Sequence, residues 1–184
     1  MGSSEELWKD RFVFPSLFEG LKKGIGERFT PDIKAKLKVA GLDLDDLPPA
    51  IPALQMGRLL RIIGEGVWPE KSHEEQLRLL GLFAIRGWRS GLLGSASSKM
   101  LQLVGPRGTL TRLDRVFATT NNFSKATTTF VSDTEALITI NDVQDMPTYW
   151  CGIFDAGLEL LGLVGTVTIE AQRAPEVTLR ISWK

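Results

Sequence analysis

The sequence predicts an α+β fold: an N-terminal helical region followed by a hairpin-helix-hairpin unit, whose four-stranded antiparallel sheet has a helix packed on one face. Two observations favour this class. Up to about residue 118, apolar residues recur every three to four positions, as on amphipathic helices. Over most of 119–184 they alternate with polar residues, as in strands, and this alternation is interrupted only between 146 and 164.

The interruption is predicted to be the central helix, Met146–Val164, with the sequence MPTYWCGIFDAGLELLGLV. Pro147 suits the first helical turn, where its missing N–H removes no hydrogen bond. Gly162 suits the end, because glycine readily adopts the left-handed conformation. One apolar stripe is formed by Trp150, Phe154, Leu158 and Leu161.

Strands flank this helix on both sides. Residues 127–131 and 136–140 are rich in β-branched side chains and are joined by the polar turn Ser132–Thr134. Residues 166–171 and 177–183 have the same character. The two pairs predict two hairpins, and the helix between them is expected to cover one face of their common sheet.

The N-terminal part is predicted to be mainly helical. Ser72 and Glu75 form the pattern of a capping box at the start of the longest helix. Residues 42–52, LDLDDLPPAIP, are typical of a linker because three prolines prevent a regular helix. The predicted helices are 17–26, 32–40, 53–67, 73–93 and 97–104, with a last turn or two in 110–117.

Length and composition indicate one domain, 1–184, with an ordinary hydrophobic core. Residues 1–12 are expected to be disordered or partly a cloning remnant, 13–118 to form the helical part, and 119–184 to form the sheet and central helix. The 22 basic and 22 acidic residues cancel, which argues against nucleic acid as a partner. No apolar run is long enough to span a membrane, and a single cysteine fits a cytoplasmic location.

Residues for catalysis or metal binding are few. Cys151 and His73 are the only cysteine and histidine, so a zinc site of such ligands cannot be completed. Cys151 is expected to be an inert, buried thiol, and His73 follows a helix cap, where it faces water. Asp43 and its neighbours lack the glycine that a calcium loop requires. We therefore predict no catalytic residue and no metal ligand.

A ligand pocket, if the core contains one, is expected beside the central helix. Asp155 lies next to Phe154 on the helical wheel and could border a pocket, although a solvated flank explains it as well. The aromatic residues could equally be plain core. The residues predicted to line the pocket are Trp88, Phe123, Trp150, Cys151, Phe154 and Asp155.

Four short motifs carry a family resemblance that extends over essentially the whole chain. They are Phe18-Glu19-Gly20-Leu21, Ala40-Gly41-Leu42-Asp43, Asn121-Asn122-Phe123 and Ala156-Gly157-Leu158-Glu159. In this order the sequence resembles a family of uncharacterised proteins of similar length, present as many paralogues in myxobacteria. That resemblance implies no activity.

The predicted architecture, helices followed by hairpin, helix and hairpin, resembles a superfamily of haem-based nitric oxide sensors, vinyl-reductase-like sensing domains and TRAPP vesicle-tethering subunits. This resemblance implies either an apolar ligand between helix and sheet or a platform for protein partners. Haem sensing needs an axial ligand, usually histidine, at an apolar pocket, and His73 is predicted to face water. We therefore expect no cofactor, with haem disfavoured.

Three hypotheses follow for function. The first is a non-catalytic sensory or regulatory module that binds a small apolar ligand, a protein partner or both, as a homodimer. The second is a protein-protein interaction adaptor without a ligand, which should combine a filled core with an exposed apolar patch. The third is an enzyme of unknown reaction. It comes last because no set of nucleophile, base and metal can be assembled from the sequence.

Overall fold

The structure is a computed structural model that describes the backbone of residues 9–184 and the side chains of all of them except 92 and 93. The segment predicted to be disordered, 1–12, lies mostly outside the described residues. Its last residue, Phe12, begins the first strand.

The N-terminal half is helical, as predicted. Its longest uninterrupted helix begins with the expected capping box, in which the Glu75 amide donates to Ser72 Oγ (3.3 Å) and the Ser72 amide to the Glu75 carboxylate (3.0 Å). The helices are α1 (Pro15–Ile25), α2 (Pro31–Val39), α3 (Met56–Val67), α4 (His73–Arg89), α5 (Leu92–Leu110) and α6 (Leu113–Phe117).

Helix α5 is longer than the sequence indicates. The expected 97–104 is extended in both directions, and a kink at Gly105, with φ of 74°, divides the helix before Pro106. The serine-rich stretch before Lys99 is helical as well, and in it Ser98 Oγ donates to the carbonyl of Gly94 one turn earlier (2.6 Å). The sequence-based prediction ended this helix at residue 104 because a glycine followed by a proline normally marks a helix end.

The C-terminal part confirms the hairpin-helix-hairpin prediction. Its elements are β3 (Ala126–Ser132), β4 (Glu135–Ile140), α7 (Pro147–Leu161), β5 (Gly165–Arg173) and β6 (Glu176–Trp183). The four strands form one antiparallel sheet in the order β3-β4-β6-β5. Ile138 pairs with Leu179, and Val167 with Ile181, which places buried side chains on one face.

The segment 42–52 is not a free linker, contrary to the sequence-based interpretation. Leu42, Leu44 and Ile51 are buried, and Ile51–Pro52 forms strand β2, which pairs with β1 (Phe12–Val13). The prolines prevent a helix here, but the alternating apolar residues still pack onto the core.

Helix α7 lies between two layers. One side packs on the sheet, and the other packs closely on α4. The predicted stripe is buried at Trp150, Phe154 and Leu158, and the opposite side is buried as well, for example at Cys151 and Gly152. In the described part of the chain, no helix combines the length and apolarity needed to cross a bilayer.

Candidate ligand-binding site

A cavity of about 150 Å³ is lined mainly by residues of α4, α5, α6, α7 and β6. Aliphatic and aromatic side chains make up most of its wall. An apolar cavity of this size can hold a small aromatic molecule. Representative wall residues are Ile85, Leu101, Leu113, Ile153, Ile181 and Trp183.

Helix α7 supplies the most extensive part of the wall, because residues three to four apart lie on one face. The contributing positions include Tyr149, Trp150, Ile153, Phe154 and Gly157. A side chain at Gly157 would meet open space, since a Cβ built there has no heavy atom within 4 Å. The lack of a side chain at this position therefore helps to keep the cavity open.

The hydroxyl of Tyr149 is the most unusual polar group at this wall. It is fully buried and has no hydrogen-bond partner within the described residues. Burial raises the pKa of Tyr149, so the group stays a neutral phenol over the physiological range. A buried hydroxyl without a partner costs about 1–3 kcal/mol. The hydroxyl oxygen has less than 1 Å² of accessible surface, so a polar atom of a ligand would reach it, and remove that cost, only after a local rearrangement of the neighbouring side chains.

Two amide side chains, Asn121 and Gln144, also reach the wall, but they already hold the local backbone. Asn121 Oδ1 accepts from the amides of Phe123 (3.1 Å) and Ser124 (2.7 Å). Gln144 Nε2 donates to the carbonyl of Ala53 (2.8 Å), which ties the loop before α7 to the N-terminal half. These residues therefore fix the shape of the cavity.

Four of the six residues predicted to line a pocket are in the wall of this cavity. They are Trp88, Phe123, Trp150 and Phe154. The ring of Trp150 is held edge-on by Phe117, with centroids 4.9 Å apart. Contact between these side chains and a ligand is a proposal, developed below.

Cys151 and Asp155 are not in the wall, which corrects the sequence-based prediction for these two positions. They lie about 100° around α7 from Trp150 and Phe154. The Asp155 carboxylate accepts two hydrogen bonds from the guanidinium of Arg78 on α4 (2.6 and 2.9 Å). Asp155 thus forms an ion pair between two helices. It lies on the solvated flank of α7, which is the alternative interpretation given in the sequence analysis.

The structure offers no activated nucleophile at these positions. Cys151 is buried, and burial raises the pKa of its thiol, which favours the unreactive protonated form. His73 is exposed at the first position of α4. Among residues 9–184, no three His, Cys, Asp or Glu side chains are grouped as metal ligands would be.

Sequence reasoning missed Tyr149 as a site residue. The available signal was slight: it is the only tyrosine of the chain and lies in the predicted central helix. A hydroxyl on an apolar helix normally finds a partner, and only the folded structure reveals that this one does not.

Solved structures similar to this chain include H-NOX domains. One is a doubly substituted Tt H-NOX, with a TM-score of 0.73 and 14% identity over 94% of this chain and 95% of that one. Another is an oxygen-binding H-NOX domain related to soluble guanylate cyclases, with a TM-score of 0.66 and 14% identity over 92% of each chain. A third, described as probing haem distortion in the H-NOX family, has a TM-score of 0.67 and 15% identity over 92% of this chain and 94% of that one. At such identities the likeness shows the fold alone, which is H-NOX-like, as the predicted superfamily resemblance implied.

These neighbours contradict the expectation of no cofactor with haem disfavoured, because the H-NOX family is described by its haem in one of them, and the likeness in fold therefore points toward haem. Haem iron accepts histidine, cysteine, methionine or tyrosine as axial ligand. The described wall contains no histidine, but it contains Tyr149, Met56 and Met146. Their oxygen and sulfur atoms are suitable donors, so the chemistry of the wall fits such a group.

A search of curated proteins returns no match. A family model does match, over residues 11–184, and its description is protein of unknown function (DUF2378). This match spans nearly the whole chain and agrees with the resemblance to an uncharacterised family noted from the four sequence motifs. The chain therefore belongs to the DUF2378 family.

Proposed function

We propose that this chain is a non-catalytic sensory or regulatory module that holds a small, mainly apolar ligand in the cavity beside α7. The observation that carries the proposal is an apolar cavity of about 150 Å³ whose wall includes Tyr149, the residue with a buried, unpartnered hydroxyl. A ligand with an apolar body and one hydrogen-bonding atom would satisfy both features.

Haem or a related macrocycle is a second ligand class, because one structural neighbour is described by its haem. It is larger than a small aromatic molecule, so binding would require the cavity to widen beyond about 150 Å³. In that case Tyr149, Met56 or Met146 would hold the iron, and Trp150 and Phe154 would contact the ring. Haem would supply a centre for binding diatomic gases. The contribution of this chain is the apolar enclosure and the donor atom.

The first experiment is native mass spectrometry of the full chain, with an absorption spectrum of the same sample and after titration with haemin. We expect a bound mass that is lost on denaturation, or a Soret band that saturates at one haemin per chain. A chain without bound mass that also fails to bind haemin would argue against a tightly held ligand of this class.

A cavity-filling variant tests the location of binding. Gly157→Leu should weaken ligand or haemin binding by at least about tenfold, because the added side chain occupies the space that the ligand needs. Gly57→Leu is the matched control, since that glycine is exposed on α3 and also has open space around its Cβ position. Equal binding by both variants would place the ligand elsewhere.

A pure interaction adaptor remains the second candidate, favoured by one observation. Met100, Leu103 and Val104 form an exposed apolar patch on α5. The cavity weighs against the adaptor, because a chain with no ligand should have a filled core.

We further propose that the chain has a protein partner, forms a homodimer and is located in the cytoplasm. Light scattering of the purified chain would test the homodimer, and fractionation of cells would test the location.

A further inference from the structure

Helix α5 exposes a continuous apolar ridge formed by Met100, Leu103 and Val104. The exposed fractions of these side chains are 63%, 89% and 41%. Their spacing of three and four residues places them on one helical face. A leucine that is 89% exposed protrudes from the surface. The ridge is therefore convex, unlike the grooves that receive peptide segments.

Basic residues flank this ridge along the sequence, in a chain whose overall charge is zero. The stretch 88–113 contains Arg89, Lys99, Arg107 and Arg112 and no acidic residue. Lys99 lies one turn before Leu103, on the same face. Within the described part of the chain, neither Arg89 nor Lys99 forms an ion pair, whereas Arg107 pairs with the exposed Asp133 (3.4 Å). The local charge is thus positive.

We propose that this face of α5 is a peripheral docking surface for an anionic lipid bilayer. The apolar ridge would enter the boundary between headgroups and acyl chains, and the flanking cations would pair with lipid phosphates. A fluid bilayer adapts to a convex ridge, whereas a folded protein partner would need a matching groove. Contact would be at the surface only, since none of the described helices could cross the membrane.

Vesicle co-sedimentation of the full chain tests this proposal. We expect binding to vesicles that contain phosphatidylglycerol, little binding to phosphatidylcholine alone, and weaker binding as salt screens the charges. Leu103→Glu and Lys99→Glu should each reduce the partition coefficient by about tenfold or more, because each places negative charge at the anionic surface.

The control is Val39→Glu, at an exposed valine on α2 (86%). This variant should bind within about twofold of wild type, because its change lies outside the basic segment. Thermal unfolding of all variants should match wild type, since both Leu103 and Val39 are largely exposed. No binding to phosphatidylglycerol vesicles would overturn the proposal, as would wild-type binding by Leu103→Glu. Capture of the chain by an acidic protein in the absence of vesicle binding would also overturn it.

Discussion

Individual glycines determine how closely α7 approaches α4. A Cβ at Gly152 would lie 1.8 Å from the carbonyl oxygen of Arg78, and one at Gly81 would lie 2.0 Å from the carbonyl oxygen of Tyr149. Neither distance is possible for a real side chain, so the two backbones are in direct contact. The approach fixes the rotation of α7, and with it the direction in which Tyr149 and Trp150 face the cavity.

Gly152→Ala should therefore lower the free energy of unfolding by about 2–4 kcal/mol, because the methyl group meets backbone that cannot move aside locally. Urea denaturation measures the change. Gly57→Ala is the control and should be neutral or slightly stabilising, since its Cβ meets no atom within 4 Å. Equal stability of Gly152→Ala and wild type would mean that the helices are further apart than described.

The variant Tyr149→Phe distinguishes the effect of the buried hydroxyl on stability from its effect on ligand binding. Without ligand, the variant should be as stable as wild type or up to about 1 kcal/mol more stable, because an unsatisfied polar group is removed. With ligand or haemin, it should bind more weakly. A loss of more than about 1 kcal/mol in the ligand-free variant would indicate that the hydroxyl has a partner in the folded protein.

At the level of elements, the start of α4 and the covering of α7 were predictable to different degrees. The capping box of Ser72 and Glu75 follows from four residues of sequence and is present as expected. The two-sided burial of α7 was not predicted, because a helical wheel identifies an apolar stripe but not the element that covers the other side. For this reason Asp155 was assigned to a pocket that it does not reach.

The capping box should make stability depend on pH. Hydrogen bonds from the Ser72 backbone amide and hydroxyl hold the pKa of the Glu75 carboxyl below its ordinary value. The unfolded chain therefore binds this proton more tightly than the folded one. The resulting stability is fully present above the ordinary glutamate pKa and is lost as pH falls through the lowered folded value.

We expect wild type to be more stable than Glu75→Gln at neutral pH and the difference to shrink on acidification through that window. Urea midpoints measured against pH would reveal it. Glu74→Gln is the control, because Glu74 also lies in the first turn of α4 but forms no part of the capping box. A difference that stays constant with pH would contradict the assignment.

Across the whole molecule, the N-terminal segment connects distant parts of the chain. The Phe12 amide donates to Asn122 Oδ1 (2.8 Å), and Asn122 Nδ2 donates to the carbonyl of Asp10 (2.8 Å). Arg11 forms an ion pair with Asp142, which is 3% exposed. These contacts link the helical part to the loop before α7, so both parts of the cavity wall should unfold together.

Arg11→Met should lower the free energy of unfolding by about 1–3 kcal/mol, because the buried Asp142 carboxylate loses its cation. Urea transitions followed by tryptophan fluorescence and by far-ultraviolet circular dichroism should coincide at a lower midpoint. Arg58→Met, at an exposed position of α3, should change stability by less than about 0.5 kcal/mol. Separate transitions would show that the two parts unfold independently.

The sequence by itself determined the class of the fold and the order of its main helices and of the four strands of the larger sheet. These follow from local patterns: period two in β3 to β6, period 3.6 in the helices, and the signals at Ser72, Pro147 and Gly162. Each pattern belongs to one element and requires no knowledge of its neighbours.

Only the tertiary structure decided that a cavity exists, that Tyr149 has no partner and that Cys151 and Asp155 lie away from the cavity. A cavity is a volume left between several elements, and a missing hydrogen bond depends on every group that could have supplied it. The close contact at Gly81 and Gly152 likewise sets how α7 is rotated, and it involves residues about 70 positions apart in the chain. Such relations are absent from any single segment, so local periodicity cannot predict them.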